Sequence, residues 1–352
     1  MRTVSKVLLS AFVTACVALP ALGWDAYGHR LITTLAVESM RGGPEWLKGE
    51  ETIKKVADGA VVPDRWRGTK INQLTHLNNP EHYLDVEDLA PYGLSLKTLP
   101  TLRYEYVKAM ALAKERAGKD FKGRPVNPAR DTAKTDELPG FLPYGITEQY
   151  AKVQNAFLTV RVLEKLNDPR RAHQLQLAKE NAIYNMGVLS HYVGDAAQPL
   201  HMTKHHHGWV GENPKGYTTD RGFHSYIDGK IITHHRIKAS DVRKFVDGKV
   251  QVEARAPWED VLNYLETSFV EVEPLYELKK TGELEQARGK EFIEKRLASG
   301  ASMLGAMYRA AWESAEPTQK DVDDFVRYDG AVEGEAAGAG NTATVRNEPG
   351  TK

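Results

Sequence analysis

The densest run of side chains able to bind a metal is His191-Tyr192-Val193-Gly194-Asp195-Ala196-Ala197-Gln198-Pro199-Leu200-His201. His191 and Asp195 are four apart, the spacing that sets two side chains on one helix face. Pro199 ends a helix there and turns His201 back toward the pair. Imidazole and carboxylate together form a ligand set that zinc takes tetrahedrally. A second pair at the same spacing is His224 and Asp228. Upstream, His29 follows Trp24 by five residues, Asp64 lies in Val62-Pro63-Asp64-Arg65-Trp66-Arg67, and His82 lies in Glu81-His82-Tyr83-Leu84-Asp85. Taken singly, each has an ordinary alternative. His29 reads equally as a first-turn helix residue, Asp64 as an N-cap, His82 as a packed core histidine, and either His/Asp pair as a cap or surface ion pair. Lys204 to His207 reads as an exposed basic loop or as a cluster on a substrate face.

The elements that must position these residues read as helices. Apolar residues recur at helical spacing over 27–40, 99–117, 148–167, 170–197 and 283–314. No stretch alternates with period two between hairpin turns. The expectation is an all-α fold, with residues 24–329 as a single compact multi-helix domain. Two loops interrupt it, 119–145 and 201–222, and 330–352 reads as a low-complexity, disordered tail.

Composition narrows the chemistry. Lys+Arg and Asp+Glu are both 47 in 352 residues, so there is no basic field to hold a polyanion by net charge. The single cysteine, Cys16, excludes intrachain disulfides and thiolate-bound zinc, while 12 histidines leave His, Asp and Glu as the metal ligands.

Residues 1–23 read as a secretory signal peptide. Arg2 and Lys6 form its charged start, 7–19 its apolar stretch, and Ala21-Leu22-Gly23 its cleavage site. The apolar stretch is too short to span a bilayer, and no later segment is a membrane span. Cleavage after Gly23 makes Trp24 the first residue of a secreted or periplasmic protein. The competing reading is a lipobox at Val13-Thr14-Ala15-Cys16, with Cys16 lipidated.

In type, order and spacing, Trp24, His29, Asp64, His82, His191, Asp195, His201, His224 and Asp228 resemble the metal ligands of the S1/P1 nuclease family. That family shares a superfamily with zinc-dependent phospholipase C. The resemblance runs from Trp24 to Asp228 and extends over the helical remainder. It implies a mainly helical fold holding three Zn2+ ions. Asp64, His82, His191 and Asp195 would hold one ion. The Trp24 α-amine and carbonyl, His29 and a bridging Asp195 would hold a second. His201, His224 and Asp228 would hold the third. The resemblance further implies Asp64, Asp195 and Arg67 as catalytic residues, with Arg67 on the phosphate. Tyr83 would stack a base and Asp85 would face the base edge. The implied substrate is single-stranded DNA or RNA, or nucleotides, cleaved to leave 5′-phosphate ends by a monomer with no protein partner. Alternatives are a phospholipase C-type phosphodiesterase on the same core and a non-catalytic exported zinc-binding protein. The chain departs from the family in lacking a Gly-Gly-Asn segment between His201 and His224, in carrying Gly229 where many members have Asn, and in lacking the disulfides of fungal members.

Overall fold

The structure, a computed structural model, describes residues 24–40, 42–129 and 131–329. The expected signal peptide 1–23 and tail 330–352 lie outside the described residues. Fourteen α-helical segments follow one another among them. They are α1 Ala26–Ser39, α2 Glu50–Gly59, α3 Val62–Arg67, α4 Asn72–Asn78, α5 Arg103–Ala117, α6 Leu142–Leu166, α7 Ala172–Ala197, α8 Phe223–Ser225, α9 Ile231–His235, α10 Ala239–Arg243, α11 Trp258–Phe269, α12 Val272–Thr281, α13 Ala287–Glu313 and α14 Gln319–Asp329. One isolated antiparallel bridge, Leu84 with Gly140, is the only β pairing among the described residues. The all-α expectation holds, and the helices share one core. No helix among the described residues is long and apolar enough to cross a membrane.

The core is organised around α7. Every residue from Asn185 to Ala197 is buried, so this half of the helix is enclosed on all sides. It packs against α6, α2, α13 and α1. The approach of α2 is close because two glycines meet: a Cβ on Gly187 would lie 2.7 Å from the Cα of Gly59. Any larger residue there would force the helices apart. α1 starts at Asp25, whose carboxylate caps the backbone N–H groups of Tyr27 and Gly28 at 3.1 and 3.0 Å. Its buried stripe of Leu31, Ile32, Leu35 and Ala36 faces the core, and Thr33 donates to His29 O at 2.7 Å.

α7 ends as the sequence predicts. Gln198 closes it, Pro199 opens a 3-10 turn over Pro199–Met202, and the chain reverses. The Ala197 carbonyl, at the end of α7, accepts from the buried Arg296 at 2.9 Å, so a cation from α13 meets the negative end of the helix. Boundaries elsewhere differ from the sequence expectation. The helix expected from 99 begins at Arg103, because Pro100 holds the chain extended before it. The helix expected from 148 begins at Leu142, with Pro143 in its first turn, where the missing N–H costs nothing.

Candidate metal centre

Eight of the nine expected metal-binding residues converge through their side chains. His29 comes from the first turns of α1, Asp64 from α3, and His82 from the end of a 3-10 turn over Asn79–His82. His191 and Asp195 come from α7 and His201 from the turn after it. His224 lies on α8, and Asp228 on the π-helical turn Tyr226–Lys230 that continues it. Seven of the eight are buried, and the Asp64 side chain is 11 % exposed.

Asp195 is the hub. One carboxylate oxygen lies 2.9 Å from His82 Nδ1 and 3.2 Å from His191 Nε2. The other lies 3.4 Å from His29 Nε2 and 3.9 Å from His201 Nε2. The His29 and His191 rings stack at 4.1 Å. Gly194 makes room for this, since a Cβ on it would come within 2.8 Å of His29 Nδ1. Asp64 pairs with Arg67 at 3.1 Å and lies 3.9 Å from His191 Nε2. Beside this cluster is a second group, in which His224 Nε2 lies 3.5 Å from Asp228 and the His201 and His224 rings meet edge-on at 4.8 Å.

Three sets of donor atoms are close enough to hold a metal ion: His29, Asp64 and His191; His82, His191 and Asp195; and His201, His224 and Asp228. The third set is the one expected from sequence. The first two share His191 and place His29 with Asp64, so five residues form one continuous cluster.

The chemistry of the donors fits a divalent cation. Atoms of His29, His82, Asp195, His201, His224 and Asp228 are buried without a hydrogen-bond partner. A buried polar group left unpaired costs about 1–3 kcal/mol, and donors converging like this could be satisfied together by metal ions. Backbone carbonyls fix two of the rings. His191 Nδ1 donates to Ala60 O at 2.7 Å and His201 Nδ1 donates to His82 O, so both rings turn Nε2 inward, toward Asp195. Burial lowers the pKa of His29, His201 and His224, and brings His82 to about 3, leaving neutral imidazoles. Burial opposes ionisation at Asp195, but His201 and His191 around it hold its carboxyl well below the usual range. At Asp228 burial wins over the hydrogen bond from Gln198 and pushes the carboxyl up.

The remaining expected residues stand around this centre. Trp24 is fully buried against the first turn of α1, where a Cβ on Gly28 would lie 2.9 Å from Trp24 Cβ. The next residue ties that entry to the second group, as Asp25 N–H donates to Asp228 O at 3.0 Å. Arg67 lies between the groups: its charge disfavours protonation of His82, His201 and His224 alike. Tyr83 is half-buried, its hydroxyl 3.4 Å from the carbonyls of Thr135 and Leu138. Asp85 is fully buried and paired with Arg124. Lys204 to His207 are not a uniformly exposed loop. His205 is buried and stacks on Trp209 at 3.9 Å, and the His206 and His207 rings lie 6.2 and 5.7 Å from that of His224.

Several residues with a part in the site have no role in the sequence reading. Gln198 donates to Asp228 at 2.8 Å and accepts from Leu200 N–H at 2.7 Å, linking the end of α7 to the second group. Its signal is a polar side chain immediately before the helix-ending proline. Gly194 and the Ala60 carbonyl act through space and backbone, which leave little trace in residue type. No family model, curated protein or solved structure matches the chain.

Proposed function

We propose that the chain is an exported, zinc-dependent phosphodiesterase that cleaves single-stranded DNA or RNA and leaves 5′-phosphate ends. The observation that carries this reading is the convergence of partnerless His and Asp donor atoms around Asp195 and around the adjoining His201/His224/Asp228 group. The S1/P1 resemblance supplies the ion count, three, and the substrate class. Asp64, His82, His191 and Asp195 would hold one ion, His29 and Asp195 with the Trp24 α-amine another, and His201, His224 and Asp228 the third. Zinc, when bound, supplies a Lewis acid that activates water near neutral pH and stabilises charge on phosphoryl oxygen.

The chain's own residues supply orientation and charge. Asp195 turns its two oxygens to different imidazoles, which suits it to be shared between ions. Arg67, held by Asp64, offers a planar cation to a phosphate oxygen. Tyr83 offers a ring on which any base stacks, which suits cleavage indifferent to sequence. Three divalent ions would let a chain of zero formal net charge bind a polyanion.

The test is a metal count on the purified protein, followed by end analysis of digested single-stranded DNA and RNA with and without chelator. Chelator-sensitive release of 5′-phosphate ends is expected. Release of choline phosphate from phosphatidylcholine, with strands intact, would replace this reading with a phospholipase. Bound zinc with neither product would leave a metal-binding protein.

A further inference from the structure

The loop after His201 carries three consecutive histidines, and the fold treats them differently. His205 is buried, stacks on Trp209 at 3.9 Å and accepts from Val210 N–H through Nδ1 at 3.1 Å. His206 Nδ1 donates to Thr203 O at 3.0 Å and lies 3.5 Å from Asp85, which is itself paired with Arg124. Both rings therefore anchor the loop. Glu87 holds the same stretch, accepting from Thr203 Oγ1 at 2.6 Å and from Lys204 N–H at 3.1 Å, and Tyr276 donates to the His205 carbonyl. Beyond His207, Gly208 takes a φ of 86°, and a Cβ there would lie 2.5 Å from the Thr219 carbonyl carbon. Trp209 N–H then donates to Thr218 O at 2.8 Å. His207 is thus pinned from both sides, yet its own Nδ1 is buried and without a hydrogen-bond partner. Its ring lies 5.7 Å from that of His224. The rings of His201 and His224, which share one donor set, are 4.8 Å apart, and His206 stands farther from His224 at 6.2 Å.

We propose that His207 is a fourth protein donor to a metal ion held by His201, His224 and Asp228. The proposal rests on the reading of that set as a metal site and not on the identity of the substrate. The set supplies three protein donors, and four-coordinate zinc has one position beyond them. His207 stands just outside the set, on a segment whose backbone is fixed, so its ring is what moves to join it. Ligation there would also relieve the cost of leaving its buried nitrogen unpaired. With three imidazoles and a carboxylate the ion has the closed shell of a structural site rather than the open shell of a catalytic one. A substrate oxygen would then have to displace a donor to reach it. The other three donors sit on helical turns, whereas His207 sits on an irregular loop, which makes it the donor to be displaced.

The experiment replaces His207 and, separately, His206 by cysteine in the full chain and loads each variant with Co2+. The chain's only other cysteine is Cys16, so the cobalt-loaded wild type gives the baseline. A thiolate bound to Co2+ absorbs strongly in the near ultraviolet by charge transfer. That band is expected in His207→Cys and absent from His206→Cys and from the wild type. In parallel, His207→Ala is titrated with zinc against a chelator, with a melting curve to check the fold. One zinc phase should weaken by about tenfold or more, and the others should stay in place. In an Asp228→Asn background the same substitution should cost nothing further, because the ion it acts on is already lost. No band in His207→Cys, an equal band in His206→Cys, or a His207→Ala effect undiminished in the Asp228→Asn background overturns the assignment. An Asp228→Asn protein that binds as much zinc as the wild type would overturn the metal reading of the group itself, and this assignment with it.

Discussion

The two donor groups that meet near Asp195 are built differently. The Asp195 cluster draws His29, Asp64 and His191 from three separate helices, adds His82 from a short turn, and locks them by ring stacking and by the Ala60 carbonyl. The His201/His224/Asp228 group is assembled from turns: a 3-10 turn after α7 and a helix that loosens into a π-turn at Tyr226–Lys230. Single π-turns of this kind recur at functional sites because they re-aim a side chain. Gln198, the residue that closes α7, holds its Asp228 by a hydrogen bond. Ligands on packed helices are positioned by the whole core, whereas ligands on turns are positioned by a few named contacts. Damage to the first group should therefore spread, and damage to the second should stay local.

The sharpest break of that comparison is Asp195→Asn against Asp228→Asn. Asp195 faces four imidazoles, so its loss should weaken two ions and cut the strand-cleavage rate by more than the about 10–100-fold typical of losing a supporting partner. Asp228→Asn should remove one ion and cost less. Zinc counts by mass spectrometry and rates measured side by side decide it. Equal losses in both variants would mean that Asp195 is not shared.

A second large effect concerns the chain before Trp24. If the Trp24 α-amine is a ligand, a protein that retains residues 1–23 should bind fewer zinc ions than one starting at Trp24, and the deficit should fall on the Asp195 cluster. N-terminal sequencing of the protein purified from its source, with a zinc count on both forms, tests it. A native start at Cys16 with full zinc content would remove Trp24 from the ligand set.

These two groups were also unequally legible in the sequence. His191/Asp195 and His224/Asp228 stand out because helical spacing alone puts each pair on one face, and Pro199 shows where the chain turns. Nothing local links His29 to Asp64 or His82 to Asp195, because those approaches depend on how α1, α2 and α3 pack on α7. The resemblance in residue order put His82 with Asp195, but it assigned His29 and Asp64 to different ions, whereas the structure brings them together with His191. α3 has six residues and the turn at Asn79–His82 four, too short for a periodic pattern to emerge. The long helices α1, α7 and α13 carry enough buried positions to be read directly. Asp85 illustrates the limit for the substrate side: its spacing from His82 is visible, but its enclosure by Arg124 and His206, one from each of the two long loops, is not.

Gly194→Ala probes the packed group without replacing a ligand. The added methyl would lie 2.8 Å from His29 Nδ1 in the enclosed half of α7. Overpacking of this kind typically costs about 1–3 kcal/mol. The melting temperature should fall, and zinc should be lost from the Asp195 cluster while the turn-built group keeps its ion. Unchanged zinc affinity would show that His29 has room to move and that the cluster is looser than its stacking implies.

Gln198→Leu probes the turn-built group in the same spirit. It removes the donor to Asp228 and the acceptor for Leu200 N–H while keeping comparable volume. Zinc affinity of that one group should fall by about 10–100-fold, seen as one shifted phase in a chelator competition. A shift in the phase assigned to the Asp195 cluster would mean that the two groups are mechanically coupled through the end of α7.

The smallest expected effect is Tyr83→Ala, which separates substrate contact from metal binding. Tyr83 follows His82 directly, yet its ring points to the 121–141 loop, where its hydroxyl meets two carbonyls at 3.4 Å, long for hydrogen bonds. Removing it should therefore disturb little of the fold. Loss of a stacked aromatic costs about 1–3 kcal/mol per base. The affinity for a single-stranded oligonucleotide should drop accordingly, with the zinc count unchanged in both groups. Loss of zinc in step with affinity would assign Tyr83 to holding His82 in place, making the packed cluster one residue larger and leaving the base without its platform.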